Sequence, residues 1–180
     1  MKLRPAALLA IALSGSATAA SPALEARWRQ CASVDADASV VACTAIIGTG
    51  TEKDARLASA YYDRANAWRE KSEYDRAIAD YDLAIRLRPD FADAFVNRGI
   101  AFYGKRQFDR AVEDDDAAIR LKPGLAEAYN NRCLAYLKMN QYDRAIKDFD
   151  ETIRLRQNYG NALINRALPS YEAPLPAGAD

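Results

Sequence analysis

The sequence predicts an all-α protein in which helical hairpins stack into a solenoid. Two observations support this prediction: one pattern recurs every 34 residues, and the apolar residues within each copy fall at helical spacing. Two short segments recur in every copy, one like YDRAI at 74–78, 108–112 and 142–146, and one like AIRL at 84–87, 118–121 and 152–155. A fixed period of this length is typical of repeat proteins, whose units pack only against their neighbours.

Each copy is predicted to form two amphipathic helices joined by a short turn. In the first copy, apolar residues keep helical spacing over 60–68 and again over 74–85. Pro89 and Pro123 follow the second helix of their copies, because proline cannot continue a helix and restricts the residue before it. A single hairpin cannot bury both of its faces, so the copies are expected to stack and share one core.

Residues 1–19 have the order of a secretory signal peptide: a basic head, an apolar run at 6–13, and small residues ending in an A-x-A motif. The apolar run is far shorter than the roughly 20 residues that a membrane-spanning helix needs, so a permanent anchor is not favoured. We expect cleavage close to Ala19 or Ala20, and a soluble, secreted or periplasmic mature protein without a membrane span.

Composition narrows the chemistry that this chain can perform. It contains no histidine, and it has neither a G-x-G-x-x-G nor a G-x-x-x-x-G-K-[ST] motif. These absences exclude histidine-dependent catalysis, histidine metal sites and phosphate-cradling loops. Removal of residues 1–19 takes away two of the 25 basic residues and none of the 25 acidic ones, which leaves a net charge of −2. We therefore expect no enzyme activity, no cofactor or metal, and no nucleic-acid binding.

The segment 20–57 does not keep the period but is predicted to form an N-terminal helical hairpin. Its helices are expected over 24–32 and 39–47, with an acidic turn between them that suits the cap of the second helix. Cys31 and Cys43 lie one on each helix, and in an exported chain such a pair predicts a disulfide. The alternative is two unpaired buried thiols.

After the third copy, the helical pattern resumes for only one short segment. Residues 160–168 are predicted to form a truncated repeat, and the Pro-rich tail 169–180 is predicted to be disordered. A solenoid usually ends in a helix with a polar outer face. The short helix therefore either caps the solenoid or leaves an end that pairs with another copy of the chain or with a partner.

The copies resemble the tetratricopeptide repeat family. The order of aromatic, small residue, aromatic, Tyr/Phe-Asp-x-Ala, aromatic, Ala and Pro is met by residues 58–91 and nearly met by 92–125. Residues 126–159 meet it without the final Pro. Asp115 departs most, since the other copies carry an aromatic residue in its place, and we expect a thinner core there. The resemblance implies a superhelix of three full repeats with a concave inner face, lined by the first helix of each repeat.

The resemblance also places candidate binding residues on that inner face. One column, with a spacing of 34, consists of Asp63, Asn97, Asn131 and Asn165. Asparagines at this place in the family line the groove and hold peptide backbone, and an amide suits that role because it offers both a donor and an acceptor. The other predicted binding residues follow further along the same helices: Asn66, Arg69, Ile100, Tyr103, Leu134 and Lys138. The alternative is that asparagine is merely tolerated at an exposed helical position.

Two charged patterns and one cysteine are interpreted as structural. The acidic run 113–116 lacks the spacing and the glycine of a calcium loop, and Asp114 and Asp116 recur in the other copies as positions on a solvated helix. Arg64, Arg98 and Arg132 are expected to pair with acidic residues of adjoining helices. Cys133 occupies a place that is Ala or Gly in the other copies, which predicts a small buried residue.

Together these features predict an exported scaffold, in a bacterial envelope, that holds a partner protein or peptide in its groove. A structural, self-associating envelope component is the alternative, suggested by the short last helix. An enzyme is the weaker rival, because the repeats offer only periodic carboxylates as catalytic groups.

Overall fold

The computed structural model describes residues 22–156, and this part of the chain forms eight α-helices. They are α1 (Pro22–Cys31), α2 (Ala36–Gly48), α3 (Asp54–Glu70), α4 (Tyr74–Leu87), α5 (Ala92–Gly104), α6 (Phe108–Leu121), α7 (Ala126–Lys138) and α8 (Tyr142–Leu155). The predicted all-α hairpin solenoid is confirmed. None of the described helices is both long and apolar enough to cross a membrane. The predicted leader, the truncated repeat at 160–168, the tail and Asn165 lie outside the described residues.

The helices pair into hairpins that stack in chain order. α1 packs with α2, α3 with α4, α5 with α6 and α7 with α8. The first helices of neighbouring hairpins also contact each other, whereas the second helices of the described hairpins make no comparable contacts among themselves. The stack is therefore narrower on the side of α3, α5 and α7, and these three helices line its inner face.

Small residues let the two helices of each repeat approach closely. Ala65 and Cys133 are completely buried, and Gly99 occupies the equivalent place in α5. A Cβ atom at Gly99 would lie 3.3 Å from the carbonyl oxygen of Ala111 on α6, so this contact has little spare room. The Cys133 Sγ donates to the carbonyl oxygen of Ala145 over 3.0 Å, and burial raises the pKa of the thiol far above its ordinary value. The prediction that Cys133 is a small buried residue is confirmed.

Buried ion pairs join the two helices of each repeat. Each of three equivalent arginines makes two hydrogen bonds of 2.6–2.8 Å to an aspartate of its own hairpin: Arg64 to Asp80, Arg98 to Asp114 and Arg132 to Asp148. The last two arginines also bind an aspartate of the preceding hairpin, since Arg98 donates to Asp82 and Arg132 donates to Asp116, both over 2.5 Å. The predicted pairing of the arginines is confirmed. These bonds join the two helices within each repeat, and they also join the first repeat to the second and the second to the third.

The interpretation of Asp114 and Asp116 as positions on a solvated helix is wrong for Asp114, which is only 5% exposed because α5 and α7 cover this side of α6. Asp116 is half-buried and accepts a hydrogen bond from Arg132, whereas Glu113 is exposed. Asp115 is 1% exposed, as expected for the position that is aromatic in the other copies. The repeat period therefore locates these aspartates correctly but does not distinguish the buried ones from the exposed ones.

The turn within each of the three repeats holds one residue in the left-handed conformation. Ser72, Arg106 and Asn140 have φ values of 58–60°. The residue after each of them donates its N–H to a carbonyl five residues back, as Gln107 does to Phe102 over 2.9 Å. This is the Schellman arrangement, in which glycine is the usual left-handed residue. It ends the first helix of each repeat and reverses the chain.

We expect Arg106→Gly to raise the free energy of unfolding by up to about 1 kcal/mol. A side chain in the left-handed region costs about 1–2 kcal/mol, and the greater freedom of glycine in the unfolded chain offsets part of that gain. Urea denaturation monitored by circular dichroism measures the change. Arg106→Ala keeps the Cβ atom and should give no gain; equal stabilisation by alanine would assign the effect to lost charge rather than to backbone conformation.

A disulfide closes the N-terminal hairpin. Cys31 at the end of α1 and Cys43 within α2 form the predicted bond, and both are completely buried. The Asp35 carboxylate caps α2 by accepting a backbone N–H over 3.0 Å, as predicted for the acidic turn. Ile46 of α2 and Ala60 of α3 belong to the same apolar cluster as the two cysteines. The disulfide thus fixes the hairpin on which the first repeat is stacked.

Candidate functional site

Three cavities follow one another along the inner face. The first, of about 140 Å³, lies between the N-terminal hairpin and α3, and the second, of about 280 Å³, lies between α3, α5 and α7. The third, of about 250 Å³, lies between α5, α6 and α7. Most of the predicted binding residues line these cavities: Asp63, Asn66, Asn97, Ile100, Tyr103, Asn131 and Leu134.

The first cavity is built around Asp63. Its Oδ2 lies 4.0 Å from the Cys31 Sγ, so this member of the predicted column packs against the disulfide. Burial raises the pKa of Asp63 to about 6, which makes the group a carboxylate above that pH and a neutral acid below it. Glu70 and Val34, both exposed, lie at the rim. The cavity therefore offers acidic groups beside an apolar side chain.

An amide and tyrosine network crosses from the first repeat to the second. The Asn97 amide nitrogen donates to the Tyr62 hydroxyl over 2.7 Å and to the Asn66 Oδ1 over 3.2 Å. The Tyr81 hydroxyl donates to the same Asn66 oxygen over 2.6 Å. Both N–H groups of Asn97 are thus used within the protein, and only its Oδ1 acceptor is left for a ligand. Asn97 is half-buried and bonded within the fold, and its role in binding a partner stays a prediction.

The second cavity is polar and acidic. Tyr62, Asn97, Asp93, Val96 and Glu127 line it. Asp93 forms an ion pair of 3.2 Å with Lys122, in which both side chains are about half exposed. Glu127 is exposed on α7. Because exposed ion pairs are weak, the carboxyl groups of this cavity remain available to a cationic partner.

The third cavity contains a buried carboxyl group without a partner. We call it the Asp115 pocket; its lining consists of Gly99, Ile100, Tyr103, Ala111, Asp115, Asn131 and Leu134. Asp115 is 1% exposed, and neither of its carboxyl oxygens has a hydrogen-bond partner. The Asn131 Nδ2 is buried without a partner as well. Burial raises the pKa of Asp115 well above its ordinary value; the charge of Asp114 adds to this rise and that of Arg132 opposes it.

The pocket exists because the second repeat lacks an aromatic ring. Tyr81 and Phe149 occupy the equivalent places in the first and third repeats, and both are completely buried. In the first repeat, the Tyr81 hydroxyl binds Asn66, but the residue equivalent to Asn66 in the second repeat is Ile100. Asp115 therefore has neither the volume that fills this space nor a polar neighbour that satisfies it. The predicted thinner core in the second repeat is present as this pocket.

The two predicted cationic residues lie outside the three cavities. The Arg69 Nε is buried without a hydrogen-bond partner, whereas Lys138 is exposed at the end of α7. The sequence analysis does not predict Tyr62, Asp93 or Glu127 as site residues, although Asp93 and Glu127 stand 34 apart and are both acidic. That acidic pair is the available signal for the second cavity. For Asp115 the signal is the interruption of the aromatic column.

A larger cavity, of about 600 Å³, lies on the opposite side between α4 and α6. Its lining includes Arg98, Asp82 and Asp114, which bind each other in the ion pairs described above. These three polar groups of the cavity are thus already engaged with one another. Among the described residues, no group of three or more Cys, Asp or Glu side chains is placed to hold a metal ion.

Helical hairpins of constant length, small residues at the helix contacts and a shared inner face define a helical repeat protein. Two family models match the chain, one for a TPR repeat over residues 65–106 and one for a tetratricopeptide repeat over residues 126–159. Residues 65–106 and 126–159 are therefore tetratricopeptide repeats. None of the curated proteins matches it.

Several solved structures share this fold. The first TPR of Spaghetti (RPAP3), bound to the HSP90 peptide SRMEEVD, is 23% identical with a TM-score of 0.65, over 67% of this chain and 96% of that one. The Arabidopsis OM64 TPR domain is 22% identical with a TM-score of 0.65, over 66% and 98%. MamA is 20% identical with a TM-score of 0.69, over 76% and 78%.

Proposed function

We propose that this protein is a scaffold that binds an extended segment of a partner protein along the inner face of α3, α5 and α7. The observation that carries the proposal is the row of three cavities on one face, each with polar groups that the fold leaves available. A solved relative supports it, since the first TPR of RPAP3 holds an HSP90 peptide. The proposed role is binding and not catalysis.

The charge of the inner face favours a basic segment. Its three cavities are lined, among the described residues, by no cationic side chain and by five carboxyl groups: Asp63, Glu70, Asp93, Asp115 and Glu127. Only Asp93 has a cationic partner, Lys122, among these carboxyl groups. Complementary charge steers encounter and suppresses wrong partners, so lysine-rich and arginine-rich segments should be preferred over acidic ones. The Asn97 Oδ1 can accept a backbone N–H of such a segment.

We infer that the protein acts in the bacterial envelope. Two features support this location: the signal-peptide order of residues 1–19 and the Cys31–Cys43 disulfide, a bond that persists in oxidising compartments. Fractionation of cells that express the full chain tests it, with the protein expected in the periplasmic or secreted fraction. Self-association through the C-terminal end concerns residues outside the described part of the chain.

Reversal of charge on the inner face should weaken peptide binding. We expect the double variant Glu70→Lys, Glu127→Lys to bind a capped serine–alanine peptide bearing several lysines at least about tenfold more weakly than the unchanged protein does. Fluorescence anisotropy with a labelled peptide measures the Kd, and a matched peptide bearing glutamates should bind weakly to the unchanged protein.

The control makes the same charge change on α6. Asp109 and Glu113 are exposed and lie outside the three inner cavities, so Asp109→Lys, Glu113→Lys should bind the lysine peptide nearly as well as the unchanged protein does. Equal weakening by both double variants, or no preference for lysine over glutamate, would contradict a basic segment on the inner face.

A further inference from the structure

The Asp115 pocket is the part of the inner face that the protein itself leaves least satisfied. Asp115 and Asn131 both line the cavity of about 250 Å³, and both Asp115 oxygens and the Asn131 Nδ2 are buried without partners. A single water needs only about 10–15 Å³ of such volume, so the cavity has room for a larger group. Buried carboxyl groups are normally paired, so an unpaired one at the wall of such a cavity indicates a place for a ligand group.

We propose that the Asp115 pocket binds the cationic side chain of a lysine or arginine in the partner segment. This inference rests on the proposed function and adds to it the recognition of one side chain. The ammonium or guanidinium group would donate hydrogen bonds to the two free oxygens of Asp115. The Asn131 Nδ2 would donate to the backbone carbonyl oxygen of the same residue, which satisfies the second unpaired group.

The charges around the pocket leave a negative excess for that cation. Asp114 and Asp116 on α6 and Asp148 on α8 surround Asp115, and Arg132 on α7 is the cation that opposes them. Arg132 is already bound to Asp148 and Asp116, with distances of 2.5–2.8 Å. Arg98 is bound in the same way to Asp114. Asp115 is thus the one carboxyl group of this cluster, among the described residues, that no arginine binds.

The walls of the pocket suit the apolar stem of a long basic side chain. Ile100, Tyr103 and Leu134 line it, and each is half-buried. Gly99 widens it, because a Cβ atom there would lie 3.5 Å from the Asp115 Oδ1. Lysine and arginine bury their methylene stems along apolar surface while their charged ends reach polar groups. A short or acidic side chain would match neither the walls nor the carboxyl group.

Two variants of Asp115 test the proposal with two probe peptides. The probes are the capped lysine peptide described above and the same peptide with norleucine in place of every lysine, which keeps the stem and removes the cation. We expect the unchanged protein to prefer the lysine peptide at least about tenfold, and Asp115→Asn to lose most of that preference. Asp115→Phe fills the pocket and should lose it too, with thermal unfolding confirming that both variants are folded.

Glu113→Gln supplies the control, since it removes one negative charge from an exposed position of the same helix and should keep the preference. Failure to bind the lysine peptide in the unchanged protein would overturn the proposed basic segment and with it this inference. A lysine preference that survives in Asp115→Asn, or falls equally in Glu113→Gln, would overturn this inference alone. In that case the basic segment lies elsewhere on the inner face.

Discussion

Replacement of Arg98 by alanine should lower the free energy of unfolding by about 3–5 kcal/mol. Its guanidinium donates two hydrogen bonds to Asp114, at 2.8 and 2.6 Å, and one to Asp82, at 2.5 Å. The Asp114 side chain is only 7% exposed, and burial raises its pKa while the bonds from Arg98 lower it. Without Arg98, a buried carboxylate is left without its partner, and the link between the first and second repeats is broken as well.

Guanidinium chloride denaturation of the unchanged protein and Arg98→Ala gives the difference. Arg154→Ala is the matched control, since Arg154 is also bound to one acidic residue, Glu151, but its side chain is 67% exposed. The unfolding midpoint of Arg154→Ala should stay essentially where it is, because exposed ion pairs contribute little. Similar midpoints for the two variants would show that the buried pairs do not hold the repeats together.

Asp115→Phe should have a large effect of the opposite sign. We expect the free energy of unfolding to rise by about 3 kcal/mol near pH 8, because the substitution removes an unpaired buried carboxyl group and buries a ring that fills the pocket. Phe149 occupies the equivalent place in the third repeat and is completely buried, which shows that the repeat accepts a ring there. Asp115→Asn removes the carboxyl group but leaves the pocket unfilled, so it should raise the free energy of unfolding by less.

The gain from Asp115→Phe should depend on pH. The pKa of Asp115 is raised in the folded protein above its ordinary value of 3.8, so the folded state holds the proton more tightly than the unfolded state does. As pH rises from the unfolded to the folded pKa, the unfolded chain loses its proton first and the native protein loses stability. The phenylalanine variant has no such carboxyl group and does not lose stability in this way. The difference in the free energy of unfolding between the variant and the unchanged protein should therefore be larger at pH 8 than at pH 4.

Thermal unfolding at several pH values checks this dependence. The other groups that face Asp115, namely Asp114, Asp116, Arg132 and Asp148, are present in both proteins and largely cancel in the difference. An advantage that is the same at pH 4 and pH 8 would mean that cavity filling alone accounts for the gain. A loss of stability in Asp115→Phe would contradict the assignment of the pocket to the missing ring.

Most of the fold could be predicted because the period constrains it. A spacing of 34 residues places each arginine opposite the aspartate that lies 16 positions later, and the structure contains all three pairs. The disulfide could be predicted because Cys31 and Cys43 lie on two consecutive short helices of one hairpin. The left-handed turn residues were not anticipated, since Ser72, Arg106 and Asn140 share no residue type that marks this conformation.

The candidate site was harder to predict, because it depends on contacts between repeats. The period places Asn97 on the inner face, but only the stacking of α5 on α3 brings its amide to Tyr62 and Asn66. The sequence shows that position 115 lacks the aromatic residue of the other copies, which predicts a thinner core. It does not show whether the helices close over the missing volume or leave an open pocket. The open pocket follows from the apolar Ile100 opposite Asp115 and the absence of a Cβ atom at Gly99.

The pKa of Asp115, measured with and without a lysine-bearing peptide, tests most directly whether this face binds a basic segment at the Asp115 pocket. Carbonyl-carbon NMR of aspartate-labelled protein follows its carboxyl group across the pH range. In the free protein we expect titration well above the ordinary range, and in the complex a clear fall of the pKa, because a bound ammonium group stabilises the carboxylate. An identical titration in the free and bound protein, or an equal shift with the norleucine peptide, would contradict the proposal.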